Sequence, residues 1–299
     1  MDIEGSIHVI VNACAGTAEQ TSFIDQLKQH INGDRRFRIS IAETGPALSA
    51  LSKEAVANNS NVVVAAGGDG TVNTVASSLV GTSKILGVLP AGTLNHFAKD
   101  LRLPLDLSEA IETISHGKTA AVDVGEVNGH VFVNNSSLGL YPHIVEEREN
   151  QQRLGSGKWS AFVWAAVSVL RRYPFVDVRL TLDGFSVSRR TPFVFIGNNR
   201  YEMEGLNIGG RSRLDANELS LYTSNRISRF GLLLLGLRAL FKRLRNDSDF
   251  LEVTAREISI HSRHRRLRVA LDGEVRVLTP PLHYRIVPQS LRVIVREQV

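Results

Sequence analysis

The sequence predicts two domains, an α/β domain built on a parallel sheet with covering helices and then a β-rich domain, with a site in the cleft between them. Three observations carry this. Up to about residue 120, short β-branched runs alternate with longer segments of helical period, as in a parallel sheet with crossover helices. Beyond Thr119 the texture changes to strands of alternating character, which suits an antiparallel sheet. In the first half each strand ends in a glycine-bearing or polar loop, and the carboxyl ends of such strands are where open α/β sheets place ligands.

The elements follow in order. Strands are expected at Ile7 to Val11, Phe37 to Ile41, Val62 to Ala66 and Ile85 to Leu89, with helices at Ala18 to Ile31, Ala47 to Ala57, Thr71 to Leu79 and Leu107 to His116. In the second half, strands are expected at His130 to Asn134, Val176 to Leu182, Phe193 to Gly197, Glu218 to Tyr222, Glu257 to His261 and Leu267 to Leu271. Two helical patterns interrupt them, at Lys158 to Arg172 and Arg226 to Leu244. The domains are read as 1–120 and 121–290, with 291–299 returning to the first as a strand.

Composition bounds the function classes. The chain has 299 residues, of which 43% are apolar, enough for about two cores. Its formal charge of +5 is mild for this length and falls short of the dense basic footprint of most nucleic-acid binders. Cys14 is the only cysteine, which excludes an internal disulfide and a multi-cysteine metal site and points to the cytoplasm. The first residues lack the basic start of an export signal. The longest apolar runs, Ala161 to Leu170 and Phe230 to Leu237, are shorter than the roughly 20 residues that cross a bilayer, so membrane contact is expected to be peripheral.

The strongest local signal is VVVAAGGDGTVN, residues 62 to 73, where a buried strand runs into Gly67, Gly68, Asp69, Gly70 and Thr71 and then a helix. Glycines let backbone N–H groups approach a polyanion, and a helix N-terminus adds donors and dipole. Thr71 is expected to cap that helix or bond a phosphate oxygen. Asp69 would repel phosphate unless a metal ion, water or a cation mediates, which favours a Mg²⁺ nucleotide. A tight strand-to-helix turn would explain this loop alone equally well. A second loop, LPAGTLNHFAKDL at 89 to 101, again puts glycine and threonine at a strand end. Neither loop fits the GxxxxGK[ST] or GxGxxG patterns.

Together, GGDGTVN and LPAGTLNHFAKDL resemble the diacylglycerol kinase catalytic family, in a superfamily that also holds sphingosine kinases, NAD kinases and, more distantly, phosphofructokinases. VNACAG at 11 to 16 is similar to the family's first strand loop, with Ala13 in place of proline. The resemblance implies that Asn12, Thr44, Gly67, Gly68, Asp69, Gly70, Thr71, Asn73 and Thr93 surround ATP. LDGE, ending at Glu274, matches the family's acidic motif, which implies that Asp272 is the general base, with Glu274 as second choice. An Asp-Gly hairpin turn is the plain alternative for these residues. Asp69 is a metal candidate by its charge beside phosphate, Asp123 resembles a family acidic position that helps hold the metal through water, and Asp215 lies near a loop similar to the family's cation site. For Asp123 the alternative is a solvated strand-end aspartate. His96 departs from the aspartate usual after the second-loop asparagine, and Ala216 and Asn217 depart from D-G-x-L, Asn217 being able to adopt the left-handed backbone of the missing glycine.

The function implied is an ATP-dependent lipid kinase that phosphorylates a diacylglycerol-like hydroxyl at a membrane surface, with Mg²⁺. Self-association into a homodimer is compatible with it. The run at 226 to 245 combines leucines with Arg238, Lys242, Arg243 and Arg245 and suits either an interfacial helix or an ordinary helix covering the sheet. HSRHRRLR, residues 261 to 268, reads as a solvated basic hairpin able to meet anionic headgroups. Rival readings are an NAD or other small-molecule kinase of the superfamily, a catalytically silent nucleotide- or lipid-binding regulator, and a nucleic-acid binder, the last opposed by the modest charge and absent aromatic platforms.

Overall fold

The computed structural model describes residues 5–14, 18–139, 176–182, 185–204, 207–208, 210–224 and 250–296. In chain order the elements are β1 (Ile7–Asn12), α1 (Ala18–His30), β2 (Phe37–Ala42), α2 (Gly45–Ala57), β3 (Val62–Gly67), α3 (Asp69–Leu79), β4 (Ile85–Pro90), α4 (His96–Asp100), α5 (Leu107–His116) and β5 (Lys118–Val127). There follow β6 (His130–Phe132), β7 (Asn135–Gly139), β8 (Val176–Leu182), β9 (Phe185–Thr191), β10 (Phe193–Asn198), β11 (Met203–Glu204), β12 (Asn207–Ile208) and β13 (Leu219–Ser224). The last are β14 (Phe250–Ala255), β15 (Glu257–Ser262), β16 (Leu267–Leu271), β17 (Glu274–Leu278) and β18 (Leu282–Val295). The expected helices at Lys158 to Arg172 and Arg226 to Leu244 lie outside the described residues. Two compact units form, Met1–Val124 with Val287–Val299, and Gly125–Ile286.

In the first unit β1, β2, β3 and β4 are parallel in the order β2-β1-β3-β4, and Arg292 and Val293 of β18 pair in parallel with Ile85 and Leu86 of β4. All six residues of β3, VVVAAG, are buried, as expected of a central parallel strand covered on both faces. Ile7, Val9, Val62, Val64, Leu27 and Ile114 form the core on the side of α1 and α5. Each such fully buried side chain contributes about 1.5–3 kcal/mol. Local chemistry sets the helix ends: Thr44 caps α2 by accepting from Ala47 N, Pro46 stands in its first turn, and Asp106 caps α5 by accepting from Glu109 N. Because β2 and β3 lie on opposite sides of β1, the chain reverses direction across the sheet between β1 and β3. That switch point is where this class of sheet opens a crevice.

The second unit is a β-sandwich. One sheet is antiparallel with the order β14-β13-β10-β7-β16-β17. Opposite it, β15 pairs with β8 and with the start of β18, and β8 pairs with β9. Leu138, Ile196 and Val269 from the first sheet and Val178, Leu180 and Ile260 from the second share one core. Ser136 and Tyr284 bring hydroxyls into it and satisfy each other at 3.0 Å.

Candidate active site

The first cluster grows from the switch point. Asn12, at the end of β1, donates from Nδ2 to Thr71 Oγ1 at 2.8 Å and accepts the N–H of Cys14 on Oδ1 at 3.0 Å. One amide therefore shapes its own loop and spans to the loop after β3. Gly67 admits this contact, since a Cβ there would lie 2.4 Å from Thr71 Oγ1. The expectation that Thr71 caps α3 is corrected: Gly68 is the N-cap, α3 starts at Asp69, and Thr71 is buried inside the first turn with its hydroxyl engaged by Asn12. Without a side-chain cap on its first turn, α3 presents an N-terminus whose donors and dipole suit an anion.

The second loop closes on the first. A Cβ at Gly92 would stand 2.5 Å from Gly68 Cα, so the two turns touch at a spacing only glycine allows. Asn95, in the left-handed conformation with φ 51°, accepts from Gly92 N and donates back to Gly92 O, closing the loop into a ring. Asp69 completes the arrangement, its Oδ2 and Oδ1 accepting the N–H groups of His96 and Phe97, each at 3.2 Å. The negative charge that looked out of place beside phosphate is thus held by the second loop's backbone.

Among the other nucleotide candidates, Gly70 belongs to the first turn of α3, and its carbonyl accepts from Thr74 Oγ1 at 2.9 Å. Asn73 is buried within α3, its Oδ1 accepting from Ser77 Oγ at 3.4 Å. Thr44 is exposed at the carboxyl end of β2, where it caps α2, and Thr93 is exposed in the second loop.

The second cluster lies in the sandwich. Asp272 and Gly273 form the two-residue loop between β16 and β17, with φ 48° and 90°, the left-handed pair of a type I′ hairpin. The hairpin reading is correct, and the turn also delivers a carboxylate. Asp272 Oδ1 accepts from Asn134 N and Asn135 N, both at 2.8 Å, and Oδ2 accepts from Val133 N at 2.7 Å. The residue keeps some exposed surface, yet its carboxyl group is enclosed. Burial pushes its pKa up to about 6, against the opposing pull of the three amides and of Arg211. Three of its roughly four lone pairs are used, leaving one acceptor direction on Oδ2. Glu274 is half exposed beside Arg276 at 3.5 Å.

Sequence reasoning missed the buried support for Asp272. Arg211, 4% exposed, donates to Val133 O at 2.8 Å, Asn198 O at 2.9 Å and Asn134 Oδ1 at 2.9 Å, and stacks over Tyr201. Asn198 also donates to Val133 O at 2.9 Å. The signal was present in two asparagine doublets, Asn134-Asn135 and Asn198-Asn199, each directly following an apolar strand run.

Each remaining metal candidate has partners of its own. Asp123, 1% exposed in β5, accepts Gln289 N at 2.8 Å and so fixes the left-handed residue of β18; the solvated strand-end picture does not apply. Asp215 is exposed and bound to Arg213 at 3.0 Å, which holds its carboxyl below the usual range. Asn217 adopts φ 57°, standing in for glycine. Among the described residues no group of three or more His, Cys, Asp or Glu side chains gathers to hold a metal ion.

Comparison with known proteins follows this division. The diacylglycerol kinase catalytic domain model matches residues 6–127, and the YegS C-terminal NAD kinase beta sandwich-like domain model matches residues 139–295. A diacylglycerol kinase of Staphylococcus carnosus is 31% identical over 135 residues, 44% of this chain and 44% of that protein. The chain thus spans under half the length of that relative, whereas it is 24% identical to uncharacterized protein sll0036 of Synechocystis over 96% of itself and 69% of that protein. The crystal structure of a diacylglycerol kinase from Bacillus anthracis strain Sterne shares the fold, with a TM-score of 0.69 at 19% identity over 97% of both chains. A glycine cradle on an α/β sheet, a carboxylate-bearing hairpin on a sandwich, and two family models that together run along almost the whole sequence place the chain in the diacylglycerol kinase family, within the NAD kinase-like superfamily.

Proposed function

We propose that the protein is an ATP-dependent lipid kinase that phosphorylates the hydroxyl of a diacylglycerol-like lipid. The observation that carries this reading is the contact of Gly68 with Gly92 over an α3 N-terminus that lacks a side-chain cap, a fit for a polyphosphate tail that any side chain would spoil. Asn12 and Thr71 set the floor of that cradle, and Asp69 ties its two loops together. Asp272 is the proposed base. With a pKa near 6 it is mostly ionised at neutral pH while remaining basic enough to take a proton, the range that general bases favour. In the transfer the lipid oxygen bonds to the γ-phosphorus, the bond to the β–γ bridging oxygen breaks to release ADP, and the hydroxyl proton passes to Asp272.

Mg²⁺ would neutralise phosphate charge during transfer. Asp69, at the start of α3 beside the glycine cradle, is the residue that would help hold such an ion. Asp123 is bonded to Gln289 N and Asp215 to Arg213, partners that support a structural role for each.

The test is incubation with labelled ATP and Mg²⁺ against a panel of lipids in mixed micelles, with NAD as a parallel acceptor, repeated with Asp272→Asn. Label in a lipid that vanishes in the variant, while the variant remains folded by circular dichroism, supports the proposal. Label in NAD, or in nothing, rejects it.

A further inference from the structure

A cavity of about 560 Å³ opens on β8, β9 and β15 in the sandwich unit, apart from the Asp272 cluster. Arg179, Arg189, Arg190, His261 and Arg263 line it, with Asp177 as the one carboxylate among the described residues. The strands bring these residues together by register, since Arg179 stands directly opposite both His261 of β15 and Ser188 of β9, and Arg190 stands opposite Asp177. Asp177 does little to neutralise the group. Its approach to Arg190 is 4.0 Å, with both side chains about two-thirds exposed.

Two features point to an outside anion. Arg179, Arg190 and His261 alternate with the buried Val178, Thr191 and Ile260, so their side chains share the exposed face of the sheet. Also, Arg265 and Arg266 continue the positive charge into the exposed turn after Arg263. Among the described residues, the exposed Arg179, Arg263, Arg265 and Arg266 outnumber the one aspartate of the lining, Asp177. A single free phosphate needs two or three such donors, whereas a spread of arginines over an exposed sheet face matches a surface that carries many phosphates. Apart from His261 the described residues of the lining include no aromatic ring on which a base would stack, which favours a lipid surface over nucleic acid.

We infer that this cavity and its arginine rim form a docking site for the phosphate headgroups of an anionic lipid surface. The inference rests on the lipid-kinase reading, in that it names the surface from which the substrate would be taken, but binding here needs neither ATP nor turnover. Long-range attraction draws the rim to the surface, and the cavity holds one headgroup against Arg179 and Arg263.

Vesicle flotation tests it, with full-length protein and vesicles of phosphatidylcholine alone or with one-third phosphatidylglycerol. Expected is binding to the anionic vesicles only, weakening as salt rises. Arg179→Ala with Arg263→Ala should weaken it about thirty-fold, from about five-fold per arginine. Lys28→Glu with Arg35→Glu, an equal or greater charge loss elsewhere, should leave more than half of the binding. Equal loss in both variants, or binding to neutral vesicles, overturns the proposal. So does tighter retention of a duplex RNA than of vesicles, or complete displacement by submillimolar glycerol phosphate, which would assign the site to a soluble anion. Turnover of a short-chain, detergent-dispersed diacylglycerol separates the two readings. Its absence in the wild-type protein defeats the kinase proposal alone, and its persistence in the arginine variants beside lost flotation supports the docking site.

Discussion

The glycine cradle of the first unit and the Asp272 cluster of the second achieve order by opposite means. In the cradle, the decisive groups are the missing side chains of Gly67, Gly68 and Gly92, and the partners lie on loops that end neighbouring strands. Around Asp272, one carboxylate gathers three amides from a segment more than 130 residues earlier, and Arg211 braces that segment from a third stretch of chain. A site built from vacancy tolerates additions badly, whereas a site built from a satisfied buried network tolerates deletions badly. Substitutions that add to one and subtract from the other probe this contrast.

The largest effect is expected from subtraction at the base. Asp272→Asn should lower phosphoryl transfer by about 10²–10⁴-fold. It should also cost about 1–3 kcal/mol of stability, because an amide NH₂ would then face the Val133 N–H. Transfer rates and urea unfolding measured on the same sample separate the two. Glu274→Gln, on the exposed flank of the same hairpin, should leave both nearly unchanged.

Addition at the cradle comes next. Gly92→Ala forces a methyl group to within contact of Gly68 Cα, and should reduce kcat/KM for ATP about 100-fold by displacing the loops, at a stability cost of about 1–3 kcal/mol. An ATP titration with a thermal melt checks this.

Arg211→Ala should cost about 3 kcal/mol by removing its buried bonds to Val133 O, Asn198 O and Asn134 Oδ1. Because Arg211 pulls the Asp272 pKa down, its loss should also move the acid limb of the activity profile from near pH 6 to higher pH.

The smallest effects concern pH and stability, and here the two units again differ in sign. Asp272 titrates at about 6 when folded against 3.8 ordinarily, so its contribution to stability is full below 3.8 and is lost as pH rises through 6. His8, in β1, has its pKa lowered from 6.5 by burial and by Arg38, so its contribution is present above 6.5 and is lost as pH falls through the lower folded value. His8→Gln should therefore flatten the decline in stability below pH 6.5, read from urea midpoints at several pH values.

Much of the cradle and of the fold was legible in the sequence. Periodicity located β1 to β4, α5, β8 and β16 to within a residue or two, because each is an uninterrupted apolar run or stripe with a turn residue at its end. The five-residue α4 was missed, being too short to show a period and held by Asp69 rather than by its own capping residue. β5 was read as a boundary, and β9 and β17 escaped because their outward faces carry arginine, serine and glutamate. The candidate residues of the glycine motif were nameable because their chemistry is local. Arg211 was not, since its three acceptors come from segments 13 to 78 residues away and nothing near it in sequence hints that it is buried.

The abutment of Gly68 on Gly92 makes the two loops one inherited part. A side chain at Gly92 is blocked by the backbone of Gly68, so no compensating side-chain change across the contact can open the way. The same holds for engineering. Transplanting GGDGT into a foreign sheet would carry over only the lower jaw of the cradle, and a working graft would need β3, β4 and both of their loops together.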